Sequence, residues 1–511
     1  MVEIKLIQDR ESRNLILDPE KTYVQNLFAR GWLKGVPLCS GMGLCAQCAM
    51  IFQENAPQPA ARDRTCFDRN ELAQGLRLGC AHYPRPGQVV KVRFESLAED
   101  FSRTSVSRVK YAGIDLGTTA IKWGFVHADS KLSNGRLINP QMGAGPDIMS
   151  RLAFAAESFD QACLLSRMAW DEVHRILDMA GDQVQGICLA GNPAMIYLLL
   201  NLNTAKIRSW PYALNYKGGT WLLPVRGGQE IFVPVLFSPF VGADLSAGLS
   251  YILSRPELEF PFLFMDFGTN GELILGLSRD RFLSTSVAMG PALEGVGLRF
   301  GSPFKKGAAS GFALSAQGLV PRDEWTGTRV SGSGYLSLLA HLVRLGVVTR
   351  QGSFAPGATP LSRKIFAKVR DKSLFPGSAF YLQPLDIEEI LKVKAAFTTG
   401  FNYLCARGGI SPGELTAFYV AGSLGEHIQP QDLETLGFIP QGSMSKCRIM
   451  GNTSLAGALM LARDEDLRRK NLKLETRVEN FNPALEDKDY MTGFTGQMRF
   501  EFQKLNRPGP A

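Results

Sequence analysis

Two short segments carry the residues through which this chain could handle phosphate. Gly113-Ile114-Asp115-Leu116-Gly117-Thr118-Thr119 is the first, and Met265-Asp266-Phe267-Gly268-Thr269-Asn270-Gly271 repeats its D-x-G-T core. Each is entered through apolar, strand-like sequence (109–114 and 260–265) and left through another such run (121–126 and 273–277). Each aspartate is therefore expected in a tight turn between two strands. Gly117 and Gly268 let backbone N–H groups approach phosphate oxygens, and Thr118, Thr119, Thr269 and Asn270 add donors. Asp115 and Asp266 can hold Mg²⁺, usually through water, because this ion keeps much of its hydration shell. One D-x-G-T is weak evidence, since Asp, Gly and Thr are ordinary turn residues. Two copies in matching contexts point to two related lobes closing on one nucleotide.

A second kind of chemistry is concentrated near the N-terminus, where five of the nine cysteines fall within the first 80 residues. Cys39, Cys45 and Cys48 form C-x5-C-x2-C in a glycine-rich loop, and Cys80 follows in Leu78-Gly79-Cys80-Ala81. Three close thiolates plus one distant thiolate is the ligand pattern of a [2Fe–2S] ferredoxin. A structural zinc site usually shows paired C-x2-C knuckles, and only one is present. Disulfides are disfavoured in the cytosol. Cys66 falls outside the pattern and reads as a packed or surface thiol. His82 beside Cys80 has no second C-x2-H to complete a Rieske pair.

The elements around these residues follow from local signals. Residues 2–7 alternate as a strand, Thr22 can cap a short helix reaching Arg30, and residues 48–53 and 88–94 read as strands. This is a β-grasp outline, and the region resembles plant- and vertebrate-type ferredoxins over its whole length. Residues 96–110 read as a linker. Residues 147–181 carry helical spacing with a Gly181-Asp182 stop, 186–190 a strand, and Gly191-Asn192-Pro193 the opening of another helix. Asp244, in Phe240-Val241-Gly242-Ala243-Asp244, can serve as a helix N-cap or stand near Mg²⁺. Glu294 is the one carboxylate in the small-residue turn 290–295. Gly332-Ser333-Gly334 can be a plain helix start, and Asp386-x-x-Glu389 reads as a capping box for a helix reaching Arg407. Small residues from Gly451 to Ala458 would let two helices pack closely.

The paired phosphate turns resemble those of the acetate and sugar kinase/Hsp70/actin superfamily. That resemblance implies an ATP site completed by an adenosine turn, which Phe418 to Gly425 matches with Gly422-Ser423 in place of the usual glycine pair. The implied fold is multidomain, α+β and α/β. A β-grasp ferredoxin domain (1–95) and a linker (96–110) precede an actin-like or Hsp70-like ATPase domain of two lobes (111–258 and 259–463), with an extension (464–511) packed on it.

A ferredoxin fused to such an ATPase resembles the reductive activators of corrinoid proteins. The resemblance rests on the four cysteines, both aspartate turns, residues 240–244, Gly290-Pro291-Ala292-x-Glu294-Gly295 and 451–457. It implies ATP-driven return of a Co(II) corrinoid to Co(I), with an iron–sulfur cluster passing the electron, and it implies a homodimer. Asp115, Asp266, Asp244 and Glu294 are then the candidate catalytic carboxylates. The stretch between the cysteine domain and the first phosphate turn is short, whereas members of that family can carry an extra middle domain. No flavin or nicotinamide motif is present, so a separate low-potential donor is expected. Rival readings are an activator of another low-potential enzyme, such as a radical dehydratase, a small-molecule kinase with a redox module, and a non-catalytic electron carrier.

Composition is consistent with a globular chain of about three domains: 511 residues, 45% hydrophobic, 20% charged, net charge +8. No basic run is interleaved with aromatics, which argues against nucleic acid. No apolar run is long enough to span a bilayer, and residues 1–14 lack a signal-peptide core, so the cytoplasm is the expected compartment.

Overall fold

The structure is a computed structural model. It describes all residues except 9–10, 34–35, 37, 39–42, 44–45, 93–99, 103–106, 146, 223–228, 269, 290, 295–296, 303, 305, 316–317, 423–426 and 505–511. The chain divides into two compact units. The first comprises 1–185, 194–215 and 225–228; the second comprises 186–193, 216–224 and 229–511.

The first unit opens with a five-stranded sheet in the order Glu11–Leu17, Val2–Gln8, Val89–Val92, Ala49–Glu54, Leu76–Leu78. Its first and last strands in sequence, Val2–Gln8 and Val89–Val92, run parallel, and the remaining pairs are antiparallel. Alternation turns Ile4 and Leu6 inward. The helix Tyr23–Ala29 starts where its sequence says it should: the Thr22 hydroxyl accepts from the Gln25 N–H, and the Gln25 side chain accepts from the Thr22 N–H. Tyr23 packs edge-on against Phe52 at 5.4 Å between ring centroids. This is the expected β-grasp.

An antiparallel meander follows, Val109–Leu116, Ala120–His127 and Leu132–Ile138. The linker expected at 96–110 contributes structure of its own. Asp100–Ser102 pairs antiparallel with 134–136, and Val109 already belongs to the meander. The helical stretch expected over 147–181 comprises two helices, Ile148–Glu157 and Phe159–Ala180. Ser158 adopts an extended backbone and its hydroxyl accepts from the Gln161 N–H, so it starts a second helix rather than continuing the first.

In the second unit a six-stranded sheet runs Cys447–Gly451, Ala417–Ala421, Phe262–Phe267, Asn270–Ser278, Arg281–Ala288, Val478–Phe481. The 25-residue helix Pro384–Gly408 lies on it, with Phe267 stacked on Phe397 at 4.9 Å. That helix begins earlier than expected. Pro384 takes the first position, Gln383 is the N-cap, and Asp386 accepts from the Gln383 N–H instead of being the cap. The helix Gly332–Arg344 starts at the Gly/Ser turn with Ser331 as its cap.

Residues 229–258 fall in this second unit. The reason is a close helix pair, Ala243–Leu253 against Thr453–Arg463. A Cβ on Gly457 would collide with the Ala247 carbonyl, and one on Gly248 would lie 2.8 Å from the Thr453 hydroxyl. Val478–Phe481, from the C-terminal stretch, pairs parallel with Arg281–Ala288. Among the described residues no helix is long and apolar enough to cross a membrane.

Candidate functional site

The first D-x-G-T joins Val109–Leu116 to Ala120–His127. Asp115 is buried in the penultimate position of the first strand and faces Lys122 directly across the hairpin, with the ammonium 4.0 Å from its carboxylate. Gly117 closes the turn through its N–H to the Ala120 carbonyl (3.1 Å), and any Cβ there would sit 2.6 Å from that oxygen. Thr118 is buried in the same turn. Asn139, absent from the sequence expectations, braces the turn from below. Its amide donates to the Gly117 carbonyl (2.8 Å), and its N–H donates to the Thr119 carbonyl (3.1 Å). The Asn139-Pro140 dipeptide was the available signal, since it marks a cap with proline in the first turn.

In the second unit Asp266 occupies the same penultimate strand position, Gly268 turns with its N–H to the Asn270 carbonyl (3.0 Å), and Asn270 begins the return strand. Asp266 lies opposite Glu272 across the hairpin and beside Ala421 on the neighbouring parallel strand. Gly422 follows with φ +90°, and a Cβ on it would be 2.5 Å from the Asp266 carboxylate. The sheet thus brings Gly422, the first residue of the expected adenosine turn, against the second phosphate turn. Two carboxylates directly opposite each other are unfavourable, and a hydrated divalent cation would relieve that. Glu272 was not singled out in the sequence; the pairing is visible only once the hairpin register is known. Thr269 and Ser423 lie outside the described residues.

Asp244 is not the helix cap. Gly242 holds that position, and Asp244, half-buried in the first turn, accepts from the Leu245 N–H at 2.8 Å. Gly242 is fixed by crowding: its Cβ would lie 2.6 Å from Pro193 and 2.7 Å from Asn192. Glu294 ends the 3₁₀ turn Pro291–Glu294, and its side chain lies outside the described residues.

Of the four cysteines, Cys39 and Cys45 lie outside the described residues. The other two sit on paired segments: Ala49 pairs with Leu78, and the Gly79 N–H donates to the Cys48 carbonyl at 2.9 Å, so Cys80 lies one residue beyond the backbone partner of Cys48. A Cβ on Gly79 would lie 2.7 Å from the Met50 methyl and 3.2 Å from the Cys48 carbonyl, so a side chain there would have to displace Met50. His82 is occupied elsewhere: its ring nitrogen meets buried Asp63 at 2.6 Å, and Asp63 also accepts from the Leu78 N–H at 2.7 Å. The Cys66 thiol donates to the Gly43 carbonyl.

A β-grasp cysteine domain followed by two D-x-G-T hairpins on separate sheets defines a ferredoxin fused to an ATPase of the actin/Hsp70 type. Comparison with known proteins narrows that class. The model for the C-terminal domain of RACo, the ASKHA domain, matches residues 261–508, and that for the RACo middle region matches 112–253. Among curated relatives, the corrinoid activation enzyme RamQ of Eubacterium limosum is 26% identical over 387 residues, covering 69% of this chain and 64% of that enzyme. The [Co(II) methylated amine-specific corrinoid protein] reductase of Methanosarcina barkeri is 24% identical over 409 residues, 70% of each chain. The match thus spans just under two thirds of the first relative's length. A solved reductive activator for corrinoid, iron–sulfur protein shares the fold, with a TM-score of 0.65 and 18% identity over 97% of this chain and 98% of that one. The two RACo models together span most of the chain, which belongs to the RACo family. Its middle region is therefore present, in the stretch expected as the first lobe, and the ASKHA domain runs on through the C-terminal tail.

Proposed function

We propose that this chain is an ATP-dependent corrinoid protein reductase that returns Co(II) corrinoid to Co(I) by one-electron transfer, restoring it for methyl transfer. The observation that carries this is the joining, in one chain, of a β-grasp domain whose segments carrying Cys48 and Cys80 are paired through the Gly79–Cys48 backbone bond, and two glycine-tight aspartate turns. Cys39, Cys45, Cys48 and Cys80 would hold a [2Fe–2S] cluster, which supplies the electron when bound. Gly117, Thr118, Thr119, Gly268, Thr269 and Asn270 would hold phosphates, and Gly422 and Ser423 would border adenosine. Asp115 and Asp266 would bind hydrated Mg²⁺ or orient the attacking water, with Asp244 and Glu294 as further candidate carboxylates.

ATP is needed because the transfer is uphill. A plant-type cluster sits near about −400 mV, and the Co(II)/Co(I) acceptor of this family lies lower. Each ~59 mV of mismatch is a tenfold penalty for one electron, about 1.4 kcal/mol. Nucleotide can offset this only by favouring a state in which the acceptor differs, such as one with altered cobalt ligation. A separate low-potential donor re-reduces the protein, which works in the cytoplasm, as a homodimer.

Asp115→Ala should lower ATP-dependent Co(I) formation on the order of a hundredfold, with the cluster spectrum unchanged. Undiminished reduction would overturn the role of Asp115.

A further inference from the structure

Within the first unit, a continuous set of contacts runs from the first phosphate turn to the cysteine domain. It starts at Asn139, which is fully buried. Its amide and its N–H hold the carbonyls of Gly117 and Thr119 on one side of the turn. Its own side-chain oxygen accepts from the Gln141 N–H (2.9 Å) and so caps the 3₁₀ turn Pro140–Ala144. That turn is anchored from behind. The Gln141 amide donates to the Leu165 carbonyl (2.9 Å), and the buried Arg151 guanidinium donates to the Gly145 carbonyl (2.8 Å).

The front of the same turn is the seat of the cysteine domain. Gly143 lies against the ring of Phe28, so closely that a Cβ on Gly143 would overlap it. Phe28 also meets Phe154 edge-on, with centroids 5.6 Å apart. Phe28 belongs to the helix Tyr23–Ala29, and the start of that helix is tied to both sides of Cys80. The Val24 N–H donates to the Gly79 carbonyl (3.3 Å) and the Tyr23 N–H to the His82 carbonyl (3.0 Å).

We propose that Asn139 and the Phe28–Gly143 seat join the first phosphate turn to the cysteine domain, so that phosphate in the turn changes how firmly that domain is held. The inference rests on the reading of this turn as an ATP site. Asn139 is a positioning residue: it holds the carbonyls of Gly117 and Thr119 and so fixes the shape of the turn. Phe28 and Gly143 form the docking contact. Packed interiors transmit small displacements because they have little free space to absorb them, and a coupling claim needs an element whose state both ends bias. Here that element is the 3₁₀ turn with the helix seated on it.

The test is hydrogen–deuterium exchange on the full, cluster-loaded chain with and without Mg-ATP, alongside calorimetric titration of Mg-ATP. Exchange over 23–29 should change several-fold with nucleotide in the wild type. Phe28→Ala should abolish that change while leaving the Kd for Mg-ATP within about twofold. Asn139→Ala should both abolish it and raise the Kd about five- to tenfold, since the amide's hydrogen bond to the phosphate turn is lost. Gly143→Val adds bulk where Phe28→Ala removes it and should also uncouple; if it does not fold, Phe28→Ala still decides. ATP binding with unchanged exchange over 23–29 in the wild type would overturn the coupling and leave the ATP site standing. No ATP binding at all would overturn both.

Discussion

Gly422 shows how far a single residue constrains the site. Its φ of +90° is a conformation that side chains rarely adopt, and the Phe267 backbone and the Asp266 carboxylate fill the space a Cβ would need. Gly422→Ala must therefore displace Asp266 or the turn itself. We expect it to weaken Mg-ATP binding at least about tenfold by titration, since local strain of this kind costs about 1–2 kcal/mol, while the cluster spectrum stays unchanged. Retained affinity would mean that this turn does not border the nucleotide. Positions written in local chemistry were legible beforehand: Thr22 before its helix, and the aspartates at the strand ends ahead of Gly117 and Gly268. Residues whose role depends on what lies across a hairpin were not. Lys122 and Glu272 face Asp115 and Asp266 only because of the strand register, and no short motif encodes that.

At the level of elements, two contacts decide how the second unit holds together. The first is the pair of helices Ala243–Leu253 and Thr453–Arg463, where small residues allow backbone approach. Gly457→Leu would drive a side chain into the Ala247 carbonyl. It should lower unfolding stability by about 1–3 kcal/mol or more by urea titration, and an unchanged midpoint would contradict the close packing. The small-residue run made this contact foreseeable; its partner helix was not.

The second contact is Lys394, fully buried on the helix Pro384–Gly408 and donating to the Gln497 carbonyl (3.1 Å), the Gln497 side chain (3.0 Å) and the Glu501 carbonyl (2.6 Å). It pins the C-terminal stretch. Nothing in the sequence marked it, since a lysine in an apolar helix reads as a surface residue. Burial pulls its ammonium from the ordinary 10.5 down to about 7, with Arg499 adding to the shift. The unfolded chain keeps the ordinary value, so between those two pH values it binds more protons than the native state does. Stability from this group therefore rises as pH climbs from about 7 towards 10.5, and the penalty is full below about 7. The wild-type urea midpoint, measured relative to Lys394→Met, should increase from pH 7 to pH 9. A constant difference would contradict a buried, titrating lysine. The variant should also expose 497–504 to proteolysis.

At the scale of the whole molecule, a β-grasp cysteine domain is joined to an ATPase of the actin/Hsp70 type. The β-grasp and the doubled hairpin were legible because each has its own periodicity and punctuation. The division of the chain was less so. The strand Asp100–Ser102 sits where a linker was expected, and 229–258 joins the second unit through helix packing. Contacts between residues distant in sequence govern both outcomes, and a single sequence does not display them.

The central claim is tested most directly by following cobalt absorbance anaerobically, with a Co(II) corrinoid protein from the same organism, a low-potential reductant and this protein. The account predicts conversion to Co(I) with Mg-ATP and none without it. Conversion at the same rate without Mg-ATP, or none with any corrinoid protein despite an intact iron–sulfur spectrum, would contradict it.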